Sequence, residues 1–95
     1  MASEQQIQTK IIKYLESEGW IVVKTIQLSR NGFPDIFAFR GGITIFIEVK
    51  SETGKATELQ KYRIEQLTKA GFLAFVCNSF ENMLHNIKND SNNNK

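Results

Sequence analysis

Three charged side chains flank a very apolar stretch, "PDIFAFRGGITIFIEVK": Asp35 at its start, Glu48 and Lys50 at its end. Two carboxylates brought together form a pair of hard oxygen donors. Such a pair either keeps a proton on one acid or takes a cation between the two. Mg²⁺ suits it, because that ion accepts one or two carboxylates and keeps positions open for water and phosphate oxygens. A lysine beside the acids supplies a point charge for a phosphate or for negative charge that develops in a reaction. The plain alternative is a salt-bridged strand end, with Lys50 paired to Glu48 or Asp35 at the solvent edge.

What brings the three together is the segment between them. Gly41-Gly42 suits the two-residue primed turn of a β-hairpin. With that turn, Arg40 faces Ile43, Phe39 faces Thr44, Phe37 faces Phe46 and Asp35 faces Glu48. Directly opposed residues have Cβ atoms roughly 4.5–5.5 Å apart. The period of two then puts Lys50 on the same face as Glu48.

The rest of the chain supplies the mount. "SEQQIQTKIIKYLESEGW" predicts a helix from the spacing of Ile7, Ile11, Tyr14 and Leu15, with a capping box at Ser3 and Gln6 and a stop at Gly19. "WIVVKTI" is β-branched and predicts a strand, and "QLSRNGFP" a loop. After the hairpin, "SETGKA" predicts a loop and Thr57 opens a second helix, with capping-box spacing to Gln60 and an end at Gly71. "FLAFVC" predicts a fourth strand. Ser79 caps a third helix with an apolar stripe of Phe80, Met83, Leu84 and Ile87. The order is α-β-β-β-α-β-α, an α/β arrangement whose last two strands are joined by a right-handed crossover and so run parallel.

A chain of 95 residues makes one small domain. We place it at residues 1–88, with a disordered polar tail over 89–95. The net charge of +2 is compatible with a polyanionic partner but does not single one out. The lone cysteine, Cys77, excludes an internal disulfide and a cysteine-based zinc site; in "GFLAFVCN" it reads as buried packing. One free thiol, no apolar run of membrane-spanning length and no signal-peptide pattern point to a reducing cytoplasm. His85 falls off the apolar stripe and reads as exposed.

Pro34-Asp35, followed after twelve residues by Glu48-Val49-Lys50, resembles the PD-(D/E)XK nuclease signature. With Glu4 opening the first helix, "NGFPD" before the second strand, "IFIEVK" closing the third and Gln60 opening the next helix, it resembles the VRR-NUC branch, in its small stand-alone phage and bacterial form. The resemblance covers about residues 4–76. It implies a restriction-endonuclease-like core, a mixed four-stranded sheet flanked by helices. It also implies a Mg²⁺- or Mn²⁺-dependent endonuclease acting on DNA. Asp35 and Glu48 would bind the metal, with the Val49 carbonyl as a further ligand. Lys50 would position or activate the attacking water, and Gln60 would support the site. Glu4 would add an acidic group, reaching the metal directly or through water. Phe33 departs from the smaller aliphatic common at its position in relatives.

Outside that set, Lys24, Arg30, Lys55 and Lys61 are candidates for holding a nucleic-acid backbone; for each, a solvated charge is an equal reading. Both faces of the hairpin are apolar, and three short helices are few to cover both. This predicts a two-fold homodimer with two sites, which fits cleavage of branched DNA such as a Holliday junction. No organic cofactor and no membrane partner are expected. The rival readings are a non-catalytic DNA-binding or assembly subunit that kept the fold, and an RNA-directed nuclease.

Overall fold

A computed structural model describes residues 2–26 and 30–93, the side chains of 90–93 excepted. The loop expected over 27–34 is thus described only from residue 30, and residues 94–95 of the expected tail lie outside the described residues. The elements are α1 (Glu4–Ser17), β1 (Ile21–Lys24), β2 (Ile36–Arg40), β3 (Ile43–Val49), α2 (Glu58–Lys69), β4 (Leu73–Cys77) and α3 (Phe80–Asn93). This is the order the sequence predicts.

Local chemistry sets the boundaries. Ser3 and Gln6 form a complete capping box at the start of α1, and Thr57 and Gln60 form another at α2. The Ser79 hydroxyl accepts from the Asn82 N–H and so caps α3. That helix runs on to Asn93, past the boundary expected at residue 88. Once a helix is nucleated, each further residue adds a hydrogen bond, so a polar sequence can extend it. Gly41 and Gly42 both have positive φ, +55° and +80°, as a type I′ turn requires.

The four strands lie in the order β1-β2-β3-β4. β1 pairs with β2 and β2 with β3 antiparallel, whereas β3 and β4 run parallel. The Gly-Gly turn sets the expected register, with Phe37 opposite Phe46 and Ile36 opposite Ile47. One face of the sheet is closed: Ile36, Ala38, Ile45, Ile47 and Val49 pack with Ile7, Ile11 and Leu15 of α1 and Met83 of α3. Cys77 belongs to this core, fully buried, and burial pushes its thiol up to about 12. It is therefore an inert packing group. The opposite face carries the aromatic ladder Phe37–Phe46–Phe72, with ring centroids 4.8 and 5.3 Å apart. α2 lies on this side, but none of its residues is fully buried. Ile21, Val23 and Phe39, at the β1–β2 end of the face, are exposed. No described helix is long and apolar enough to cross a membrane.

Candidate active site

The site lies where β2 begins and β3 ends. Asp35 directly precedes β2, and its backbone is fixed from β1: the Thr25 N–H donates to the Asp35 carbonyl at 2.7 Å, and the Thr25 hydroxyl to the carbonyls of Pro34 (2.9 Å) and Asp35 (3.1 Å). The carboxylate reaches across to β3, where Oδ2 accepts from the Val49 N–H at 3.1 Å. The N–H and C=O of one strand residue point to the same edge. The Val49 carbonyl therefore faces the Asp35 side, as a further metal ligand would require.

Glu48 is the most constrained side chain of the cluster, 2% exposed. Its Oε2 accepts from Gln60 Nε2 at 3.2 Å and pairs with Lys50 Nζ at 3.4 Å. Its Oε1 is buried with no hydrogen-bond partner. A buried carboxylate oxygen without a donor is costly, so a proton or a cation must answer it. Burial first, and then the charge of Asp35, push the Glu48 carboxyl up to about 8; Lys50 opposes the shift without cancelling it. Without a cation, burial and the neighbouring Asp35 charge thus favour a protonated Glu48 at neutral pH.

Gln60 does two jobs with one amide. Its Oε1 accepts from the Thr57 N–H at 2.9 Å, closing the helix cap, and this leaves Nε2 for Glu48. Capping and support of the acid, separate possibilities in the sequence, are one arrangement.

The donor set fits a small hard cation. Among the described residues no three His, Cys, Asp or Glu side chains gather. Asp35, Glu48 and the Val49 carbonyl, the hard oxygen donors that Mg²⁺ takes, would hold it.

The VRR-NUC domain model matches residues 2–81. The chain belongs to the VRR-NUC family. A solved structure titled "VRR_NUC domain" has 30% identity and a TM-score of 0.79, over 92% of this chain and 97% of its own. Another, titled "VRR_NUC domain protein", has 24% identity and a TM-score of 0.75 over 92% and 86%, and shows the fold alone. No curated protein matches. VRR-NUC is a family of nuclease domains, and the mixed sheet in α-β-β-β-α-β-α order is shared with these structures.

Within this VRR-NUC fold, Asp35, Glu48, Lys50, Gln60 and the Val49 backbone come together. Glu4 does not join them: it is exposed at the first turn of α1, with no hydrogen bond or ion pair among the described residues. Its spacing aligns it with Ile7 and Ile11, but burial of that stripe begins only at Ile7. The buried polar residue of α1 is Gln8, one turn further on. Lys24, Arg30, Lys55 and Lys61 are all exposed. Arg30 lines a cleft of about 230 Å³ with Asp35, Thr25 and Phe33, while Lys61 pairs with Glu58 at 3.4 Å. Sequence reasoning missed Thr25, and also Arg63, which lies one turn beyond Gln60 on α2. Its Nε donates to the Asn31 carbonyl at 3.0 Å. The i, i+3 spacing to Gln60 was the available signal.

Proposed function

We propose that this protein is a Mg²⁺- or Mn²⁺-dependent endonuclease that hydrolyses phosphodiester bonds in DNA, selects branched structures and works as a homodimer. The observation that carries the reading is Glu48 Oε1, buried and unpartnered beside a second carboxylate. Asp35, Glu48 and the Val49 carbonyl would hold the divalent ion, which would supply Lewis acidity at the scissile phosphate when bound. Gln60 keeps Glu48 in one orientation, and Lys50, 3.4 Å from Glu48, meets the negative charge that builds on the phosphate. The reading does not rest on Glu4. Lys24, Arg30, Lys55 and Lys61 serve as backbone contacts around the site.

The dimer is supported by the open half of the aromatic face, where Ile21 is 70% and Val23 46% exposed. A contiguous apolar patch of this kind marks an interaction surface. Two copies joined there would present two sites to one branched substrate.

The test is cleavage of labelled linear duplex, flap, four-way junction and RNA, with Mg²⁺, Mn²⁺ or EDTA. Cutting of the junction in preference to linear duplex, with either metal and not with EDTA, is expected. Failure to cut any DNA with either metal overturns the assignment, and cutting of RNA alone overturns the substrate. A monomer by light scattering at micromolar concentration removes the dimer.

A further inference from the structure

Asp35 sits at the end of a short strap, Asn31-Gly32-Phe33-Pro34, that is fastened to α2 at three points. Gly32, with φ of +84°, lies so close to Leu59 that a Cβ there would stand 2.6 Å from Leu59 Cγ. The Arg63 guanidinium lies over the Phe33 ring, 4.8 Å from its centroid. Its Nε donates to the Asn31 carbonyl at 3.0 Å, across 32 residues of chain. The half-buried guanidinium is held in turn by Gln66 Oε1, which accepts from Nη1 at 3.2 Å, and by the Tyr62 ring at 5.5 Å. All of its anchors are thus on α2 or on the strap.

The same helix places Gln60 on Glu48. One rigid element therefore touches both acids: Glu48 through Gln60, and Asp35 through the strap. Pro34 stiffens the link, because its fixed φ leaves little freedom between Phe33 and Asp35. We propose that Arg63 is a positioning residue: by clamping Asn31 and Phe33 to α2, it sets the Asp35 carboxylate against the Val49 N–H and so fixes the spacing of the Asp35–Glu48 pair. A lysine cannot replace it, since the clamp needs a directional Nε–H and a flat cation stacked on the ring. The consequence for metal binding rests on the reading of Asp35 as a ligand; the placement of Asp35 does not.

The test reads the Val49 amide, whose acceptor is Asp35 Oδ2, against the neighbouring Lys50 amide, which donates to the Cys77 carbonyl at 2.9 Å and owes nothing to Asp35. In Arg63→Ala, hydrogen exchange of the Val49 amide is expected to speed up while that of Lys50 keeps its wild-type rate. A general loss of stability would move both together. Arg63→Lys, which keeps the charge and folds with the least disturbance, is expected to show the same selective change. In both variants the Kd for Mn²⁺ is expected to rise by about tenfold, the low end for losing a group that orients a metal ligand. Unchanged Val49 exchange in the folded Arg63→Lys variant overturns the proposal. So does a duplex affinity whose salt slope falls by about one with Val49 unmoved, the mark of a direct phosphate contact. If the wild-type protein binds no Mn²⁺, the metal reading fails, and the amide comparison still decides the role of Arg63.

Discussion

Glu48 and Val49 are neighbours in β3 and almost equally buried, at 2% and 0% exposure, yet their surroundings differ in kind. Val49 points into the closed face and packs in the apolar cluster that includes Ile36, Ile47 and Cys77. Glu48 points to the α2 face, where one oxygen is held by Gln60 and Lys50 and the other by nothing. A one-residue step along the strand passes from a core that satisfies itself to a pocket that does not. The closed face is held by apolar packing, whereas the pocket leaves a buried carboxyl oxygen without a donor. That contrast can be broken from either side.

The largest effects belong to the α2 face and should appear in rate alone. Asp35→Ala, Glu48→Ala and Lys50→Ala are each expected to lower DNA cleavage by about three orders of magnitude, the scale of removing a group that stabilises the transition state directly. Circular dichroism should report a folded protein in each case. Full activity in any one of them would break the contrast. On the closed face, Ile47→Ala is expected to act in the opposite sense. It should cost about 2–5 kcal/mol of stability, read by urea unfolding, with the folded fraction still cutting at close to the normal rate. Since small domains hold only about 5–15 kcal/mol, that is a large share.

Gln60 and Thr57 sharpen the comparison, because the capping box belongs to both kinds of residue. Gln60→Ala should lose its half of the capping box, the bond from the Thr57 N–H, together with the Glu48 contact, lowering metal affinity or activity by about 10–100-fold. Thr57→Ala should lose the cap alone, costing about 0.5–2 kcal/mol in thermal unfolding with little change in cleavage. Equal losses of activity in the two variants would mean that the cap, and not the contact to Glu48, is what the site needs.

The sequence makes the register of the hairpin legible because a two-residue Gly-Gly turn admits one pairing, observed from Arg40–Ile43 to Ile36–Ile47, with Asp35 directly before it. Both capping boxes are likewise local and visible. Burial is less so. Glu4 shares the stripe of Ile7 and Ile11, but periodicity tells which side of a helix a residue is on and not whether anything covers it at that height. The unpartnered Glu48 oxygen depends on where α2 comes to rest, and no local pattern records that. For Arg63 the sequence offers only its i, i+3 spacing to Gln60, and nothing that names its partner. Its partner is a backbone carbonyl 32 residues away, and main-chain acceptors carry no sequence signature. The exposure of Ile21 and Val23 depends on α2 covering only part of its face, a matter of tertiary placement rather than pattern.

The central claim is that the Asp35–Glu48 pair takes a divalent cation in place of a proton, and calorimetric titration with Mn²⁺ measures that exchange. Glu48 keeps its proton up to about pH 8, so below that pH the cation must displace it, and affinity should rise with pH and level off above about 8. Run at pH 7 in two buffers of different ionisation heat, the titration should show release of about one proton per ion bound, and Glu48→Gln should abolish both binding and release. Undiminished Mn²⁺ binding by Glu48→Gln, or binding by the wild-type protein with no proton released, would contradict the account.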